Sequence, residues 1–142
     1  MHRTVARFVL RARHGDVPRH ADVLEQALPA DVRSDLVRVG LVEALTNAIV
    51  HGALGVATRD DLEAFLVAIE AAEASHDCVV HAEVHQAPFE IAVVISDQGE
   101  GFDWRAASPE RGHGLAIVEE IFECVSWNEV GNEVRLRLRG ST

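Results

Sequence analysis

The chain has no lysine: all 13 of its basic side chains are arginine. That absence excludes a phosphate-binding loop of the G-x-x-x-x-G-K-[ST] type, a Schiff-base nucleophile and a lysine-based nucleotide clamp. Phosphate, if the chain handles it, must be met by backbone N–H groups, by arginine or by a metal. Cysteine is scarce as well. Cys78 and Cys124 lie in apolar contexts without CxxC or Cys/His ligand spacing, so they read as reduced thiols and imply no disulfide framework. Long apolar runs are also missing. The basic, acid-free start MHRTVARFVLRARHG superficially resembles a targeting peptide, yet Phe8-Val9-Leu10 is far too short for a signal core. No stretch approaches the ~18 apolar residues of a membrane span. A soluble, cytoplasmic protein is the expectation.

Positive charge is in deficit too. A formal net charge of -10 argues against general affinity for nucleic acid or an anionic membrane, because the long-range field repels both. A protein partner or a metal-screened anion remains open. The 142 residues suit one domain, 1–142, whose core hides roughly two-thirds of the surface the unfolded chain exposes.

Residues 3–11 alternate, with Thr4, Ala6, Phe8 and Leu10 on one side and Arg3, Val5, Arg7, Val9 and Arg11 on the other, as in a strand with one buried face. Asp16 and Pro18 start a helix that Pro29 closes, and a longer helix is predicted from about Asp31 to His51 with Gly52 as its C-terminal cap. Residues 60–74 form another, in which Leu62, Phe65, Leu66 and Ile69 follow the i, i+3, i+4, i+7 template of a packed face. Strands are predicted at 78–86, 90–97 and 133–139, a weaker one at 124–128, and a helix at 113–123. Helices grouped early and strands grouped late point to a two-layer α/β sandwich, its sheet mostly antiparallel and covered by helices on one face.

Three constellations could carry chemistry. Glu43, Asn47 and His51 recur every four residues, a narrow polar stripe on an otherwise apolar helix, as at a cleft. Asp97-x-Gly99-x-Gly101 directly follows the apolar strand Ile91–Ile95, fixing a carboxylate at a pocket rim beside backbone that another molecule can approach closely. Gly112-His113-Gly114-Leu115 opens a helix, where free N–H groups and the dipole make a phosphate seat that needs no lysine; Arg111 adds a guanidinium.

In this order and spacing the three resemble the N, G1 and G2 boxes of the GHKL superfamily, the ATP-binding (Bergerat) fold shared by gyrase, heat-shock chaperones and histidine kinases. The one-domain format and the wording E-A-L-T-N-A-I-V-H-G look most like the bacterial anti-sigma factor serine kinases. The resemblance covers nearly the whole chain. It implies that Asn47 ligates the Mg2+ bridging the phosphates of ATP and that Glu43 is the general base toward an attacking hydroxyl. Asp97 would accept a hydrogen bond from the adenine amino group, and Gly99 and Gly101 would let the backbone pass the nucleotide. Gly112, His113, Gly114 and Leu115 would offer N–H groups to phosphate. Glu43 and Asn47 lie about 6 Å apart along one helix face, which suits a metal-bound phosphate beside a nucleophile. The implied partners are a sigma factor and a STAS-domain antagonist phosphorylated on Ser or Thr, and the implied assembly is a homodimer.

The chain departs from the family pattern in places. Ten residues separate Gly101 from Gly112, and Glu110 occupies the position of an arginine that touches the terminal phosphate in some relatives, with Arg111 one place on. Asn132 follows Gly131 where many relatives carry Thr, and the 60–74 helix lengthens the connection after the N box. These features are the support for a rival reading, a non-catalytic ATP-sensing module that regulates a partner by shape alone. Other residues are read more blandly. His81-x-Glu83-x-His85 could hold a metal, but a solvated face explains it more simply. His14 and His20 precede the N box by too little chain for a phosphoacceptor hairpin. Arg3, Arg7 and Arg11, with Arg135, Arg137 and Arg139, form the main basic clusters, either a solvated sheet face or a protein interface.

Overall fold

The computed structural model describes residues 3–99 and 112–140. Alternation of apolar and polar side chains builds the sheet. β1 (Arg3–Arg11), β2 (Val79–Ala87), β3 (Glu90–Ser96), β4 (Cys124–Trp127) and β5 (Glu133–Arg139) pair antiparallel throughout, in the order β1-β2-β3-β5-β4. Register places Phe8, Ala82, Ile95, Val134 and Trp127 in one cross-strand row, and Val84, Val93, Leu136 and Val125 in another. These rows form the inner face. A register shift between Thr4 and Ala6 puts Thr4 opposite His85, so the predicted alternation of β1 holds only from Ala6 onward.

α1 (Val17–Gln26) carries Pro18 in its first turn, as predicted, and buries Val17, Ala21 and Leu24. Arg33 closes it: Nε donates to the Leu28 carbonyl at 2.8 Å and Nη2 to that of Gln26 at 2.9 Å, a cation on otherwise unpaired helix-end carbonyls.

The helix predicted over 31–51 is three pieces. A 3-10 turn spans Ala30–Val32, α2 spans Asp35–Thr46, and a π-helical turn spans Asn47–Ala53. Ser34 sets the start of α2, its Oγ accepting from the Val37 N–H at 3.1 Å. Gly52 therefore lies inside the π turn instead of capping the helix; the left-handed glycine is Gly55, at φ 67. Asp35–Ala53 as a whole is, contrary to the sequence reading, long and apolar enough by length and composition to cross a membrane. Here Leu41, Ala44, Leu45, Ile49 and Val50 are buried in the core that α2 shares with the sheet.

α3 (Leu62–Ser75) starts where Asp61 Oδ1 accepts from the N–H groups of Glu63 and Ala64. Its predicted face is wrong in part. Leu62 is 67% exposed and Leu66 42%, and the helix meets the body through Phe65, Ala68, Ile69 and Ala72. These four fit the same i, i+3, i+4, i+7 template three residues on, because alanine serves as a contact residue on this helix.

α4 (Gly112–Ile121) lies against α2 at Gly40, where a Cβ would meet the Phe122 ring at 2.6 Å and Ile121 Cγ2 at 3.3 Å. One continuous core results, with Leu24, Leu41, Leu45 and Ile49 from the helical layer facing Val80, Val84, Val93, Ile95 and Leu136 from the sheet. Each such side chain contributes about 1.5–3 kcal/mol on leaving water.

Candidate nucleotide site

β3 delivers Asp97. Its buried Ile91, Val93 and Ile95 fix the strand in the middle of the sheet, and the chain leaves the sheet at the next acid. The Asp97 N–H donates to the Asn132 carbonyl at 2.9 Å, and Asp97 Oδ1 accepts from the Gly99 N–H at 2.7 Å. The carboxyl group packs on the π turn. A Cβ at position 52 would fall within 3.0 Å of its carboxyl atoms, and a Cβ at position 99 would strike the Gly52 carbonyl. Gly52, Asp97 and Gly99 thus interlock, and only glycine fits at either flank. Burial raises the pKa of Asp97, opposed in part by the Gly99 N–H.

The β4–β5 turn holds the other side of this rim. Asn128 Oδ1 accepts from the N–H groups of Gly131 at 2.8 Å, Asn132 at 3.0 Å and Glu133 at 3.3 Å, while its amide donates to Asn132 Oδ1 at 2.6 Å. Asn132 Nδ2 is thereby aimed at the Gly99 carbonyl, 3.2 Å away. Asn132 therefore holds the turn at both ends, receiving the Asp97 N–H and reaching Gly99.

Between these elements lies a pocket lined by Ala44, Asn47, Ala48, Gly52, Ile95, Asp97, Trp127, Gly131, Asn132 and Val134. Its floor is aliphatic and its rim carries one carboxylate and two amides, an apolar lining with a few orienting polar groups. As the walls stand they leave about 10 Å³ free, room for roughly one water.

The structure brings Asn47 and Asp97 together at this pocket, and Gly99 does not line it but donates to the Asp97 carboxylate. Glu43 is half-buried on α2, four residues before Asn47, and does not line it. Gly112, His113, Gly114 and Leu115 form the first turn of α4. Gly101 and Arg111 lie outside the described residues, as do Glu110 and the stretch between the two glycine motifs.

His51, the third member of the stripe, serves the neighbouring loop. Its Nδ1 donates to the Val56 carbonyl at 2.5 Å, and its ring stacks on Phe65 with centroids 6.3 Å apart. It straps α3 to the π turn. Sequence reasoning missed Gly52, Trp127 and Asn128. The His-Gly pair after the N box was a signal for Gly52; nothing local marked the other two, because only pairing with β5 brings them to Asp97.

Among the described residues no group of three His, Cys, Asp or Glu side chains could hold a metal. Mg2+ fits such a site only through the Asn47 amide oxygen together with phosphate oxygens and water, its usual manner of binding beside a nucleotide. On the outer sheet face Glu83 takes a hydrogen bond from His85 Nε2 at 2.7 Å and an ion pair from Arg7 at 3.3 Å. The His85 hydrogen bond is the main reason the Glu83 pKa is lowered. His20 Nε2 lies 2.9 Å from the Arg11 carbonyl, and the His14 N–H donates to Glu73.

The two arginine clusters have two strands, β2 and β3, between them and are partly neutralised, Arg137 by Glu90 and Arg139 by Glu123. A larger groove of about 770 Å³, bounded by Phe89, Glu123, Cys124 and Gly140, sits at the opposite end of β3 and holds none of the predicted site residues.

Residues 11–138 match the family model of the histidine kinase-like ATPase domain, most of the chain. No curated protein matches it.

Proposed function

Because the chain belongs to the histidine kinase-like ATPase domain family, we propose that its pocket binds the adenine of Mg-ATP and that the protein is a regulatory serine/threonine kinase of the anti-sigma type. The observation that carries the reading is the Asp97 carboxyl group, pinned between Gly52 and Gly99 over an aliphatic slot that also contains Asn47. The outer oxygen of such a carboxylate accepts the exocyclic amine, and Ala44 and Ala48 are small enough to let the ring lie close to the helix. Mg2+, when bound, neutralises charge on the phosphates.

Glu43 stands one helical turn before Asn47. In the proposed transfer a serine hydroxyl of the substrate gives its proton to the Glu43 carboxylate, and its oxygen forms a bond to the γ-phosphorus. The bond from that phosphorus to the β–γ bridging oxygen breaks, and ADP leaves. The first turn of α4, with Arg111, stabilises the transferred charge through N–H groups and a guanidinium. The protein substrate in this reading is a STAS-type antagonist, the second partner is a sigma factor, the working unit is a homodimer and the compartment is the cytoplasm.

Incubation with labelled ATP and a candidate antagonist tests the reading. Glu43→Ala should lower phosphoserine formation by about 10²-fold or more while leaving ATP affinity intact. A Glu43→Ala protein that still binds ATP and still regulates its partner would instead establish the non-catalytic sensor.

A further inference from the structure

α3 is apolar on both of its sides. Phe65, Ala68, Ile69 and Ala72 meet the body, and a helix with its other side in water is ordinarily polar there. Instead two rows at i, i+4 spacing run along the outer side, Leu62, Leu66, Glu70 and Glu63, Val67, Ala71, and all six residues are exposed. Val67, at 59% exposure, stands in solvent with Leu62 and Leu66. Three large aliphatic side chains thus lie bare within about one and a half turns. A patch of that kind on a folded surface marks a place of interaction.

The helix cannot roll this side inward. Phe65 stacks on His51 of the π turn, and the Glu73 carboxylate accepts from the His14 N–H at 2.8 Å, so both halves of α3 are fastened to the body.

Charge and backbone define what fits the patch. Residues 60–77 contain Asp60, Asp61, Glu63, Glu70, Glu73 and Asp77 and no arginine. Such a field attracts a basic partner and turns away nucleic acid and anionic bilayers. It also opposes a second copy laid α3 against α3, which would bring the Glu63 and Glu70 carboxylates of the two copies together. An α-helix satisfies its own backbone and offers no edge to an extended strand, whereas i, i+4 rows are ridges between which the side chains of another helix pack.

We propose that the outer side of α3 is a docking surface for a basic amphipathic helix of another protein. Aliphatic side chains of that helix pack on Leu62, Leu66 and Val67, and its cationic side chains meet Glu63 and Glu70. The surface is complete without nucleotide, so docking does not depend on the ATP site.

The probe is a synthetic amphipathic peptide of about 14 residues, leucine and lysine at helical spacing, matched to the length of α3. Two control peptides carry glutamate in place of lysine and serine in place of leucine. Each is labelled and titrated with the full chain by fluorescence anisotropy, and the leucine/lysine peptide is mapped by amide shifts on isotope-labelled protein. The expected result is saturable binding of the leucine/lysine peptide alone, with shifts concentrated in residues 60–75. Leu62→Ser with Leu66→Ser should weaken it about tenfold or more. Glu63→Gln with Glu70→Gln should weaken it and flatten its dependence on salt.

No binding of the leucine/lysine peptide, equal binding of the serine/lysine control, or shifts that fall outside α3 overturns the proposal. Self-association of the chain in sedimentation that Leu62→Ser with Leu66→Ser abolishes gives the surface to a second copy and overturns it too. The shift map uses the unsubstituted protein, so the question is answered even if a variant fails to fold.

Discussion

Asp97 is held in a setting that favours its protonated form, whereas the proposed base contact uses its ionised one. Burial raises its pKa, so the folded chain binds a proton at this site more tightly than the unfolded chain does. Linkage then gives a definite sign: the native state loses stability as pH rises from the ordinary aspartate value, about 3.9, through the raised folded value. Asp97→Asn removes the ionisable group but can keep the acceptor for the Gly99 N–H. The expected outcome is a higher Tm than the parent near neutral pH, a gain that shrinks as the pH is lowered toward 4, and loss of ADP binding. Thermal unfolding across that range, with calorimetry for ADP, checks it. A gain that stays constant with pH would show that the carboxylate carries no such burden. A residue that weakens the fold when ready for its ligand is a common mark of a site under functional constraint.

Elements differ in how much of themselves they disclose. The strands were legible because a half-buried strand must alternate, as β2 and β5 do, and because the short apolar run of β3 marks a central strand. Asp97, Asn47 and Gly99 were legible because their spacing follows the chain. The π turn was not: the segment through His51 reads as ordinary helix, and its widening shows in the structure, where the Leu54 N–H bonds to the Ile49 carbonyl at 2.9 Å. The contacts of Trp127 and Asn128 were hidden for a different reason, since strand pairing, not local sequence, brings them to the site.

α3 shows a third kind of failure. Two overlapping templates share Phe65 and Ile69, and the one completed by Ala68 and Ala72 is used while Leu62 and Leu66 are left in solvent. Leu62→Ser and Leu66→Ser should therefore change stability by no more than about 0.5 kcal/mol each, the range of ordinary surface substitutions. Ile69→Ala, at 2% exposure, should cost about 2–5 kcal/mol. Chemical denaturation measures all three. A loss at Leu62 as large as that at Ile69 would mean that α3 packs through the face its leucines define.

At the scale of the whole molecule, the pocket is assembled from pieces far apart in the chain that all rest on one core. α2 supplies its floor and is also the helix against which α4 packs; β3 and β5 supply its rim and are also the centre of the sheet. No part of the site can be lost without the core being disturbed. Heat or denaturant should accordingly unfold the protein in one transition, with far-ultraviolet dichroism and tryptophan emission superimposing. Separated midpoints would show that the inserted helix α3 or the edge strand β4 melts independently.

The long reach of the sheet bears on how the chain is made. β1 is synthesised first, but its partner is β2, so that Arg11 waits for Val79 and Arg3 for Gln86. At a ribosomal pace of about 5–20 residues per second the strand remains single for roughly 4–16 s after it is polymerised. During that interval both of its edges are unpaired, and Phe8 and Leu10, which the fold covers, are bared. Arg3, Arg7 and Arg11 put one charge at every fourth position of that strand, a pattern that opposes pairing with a neighbouring chain.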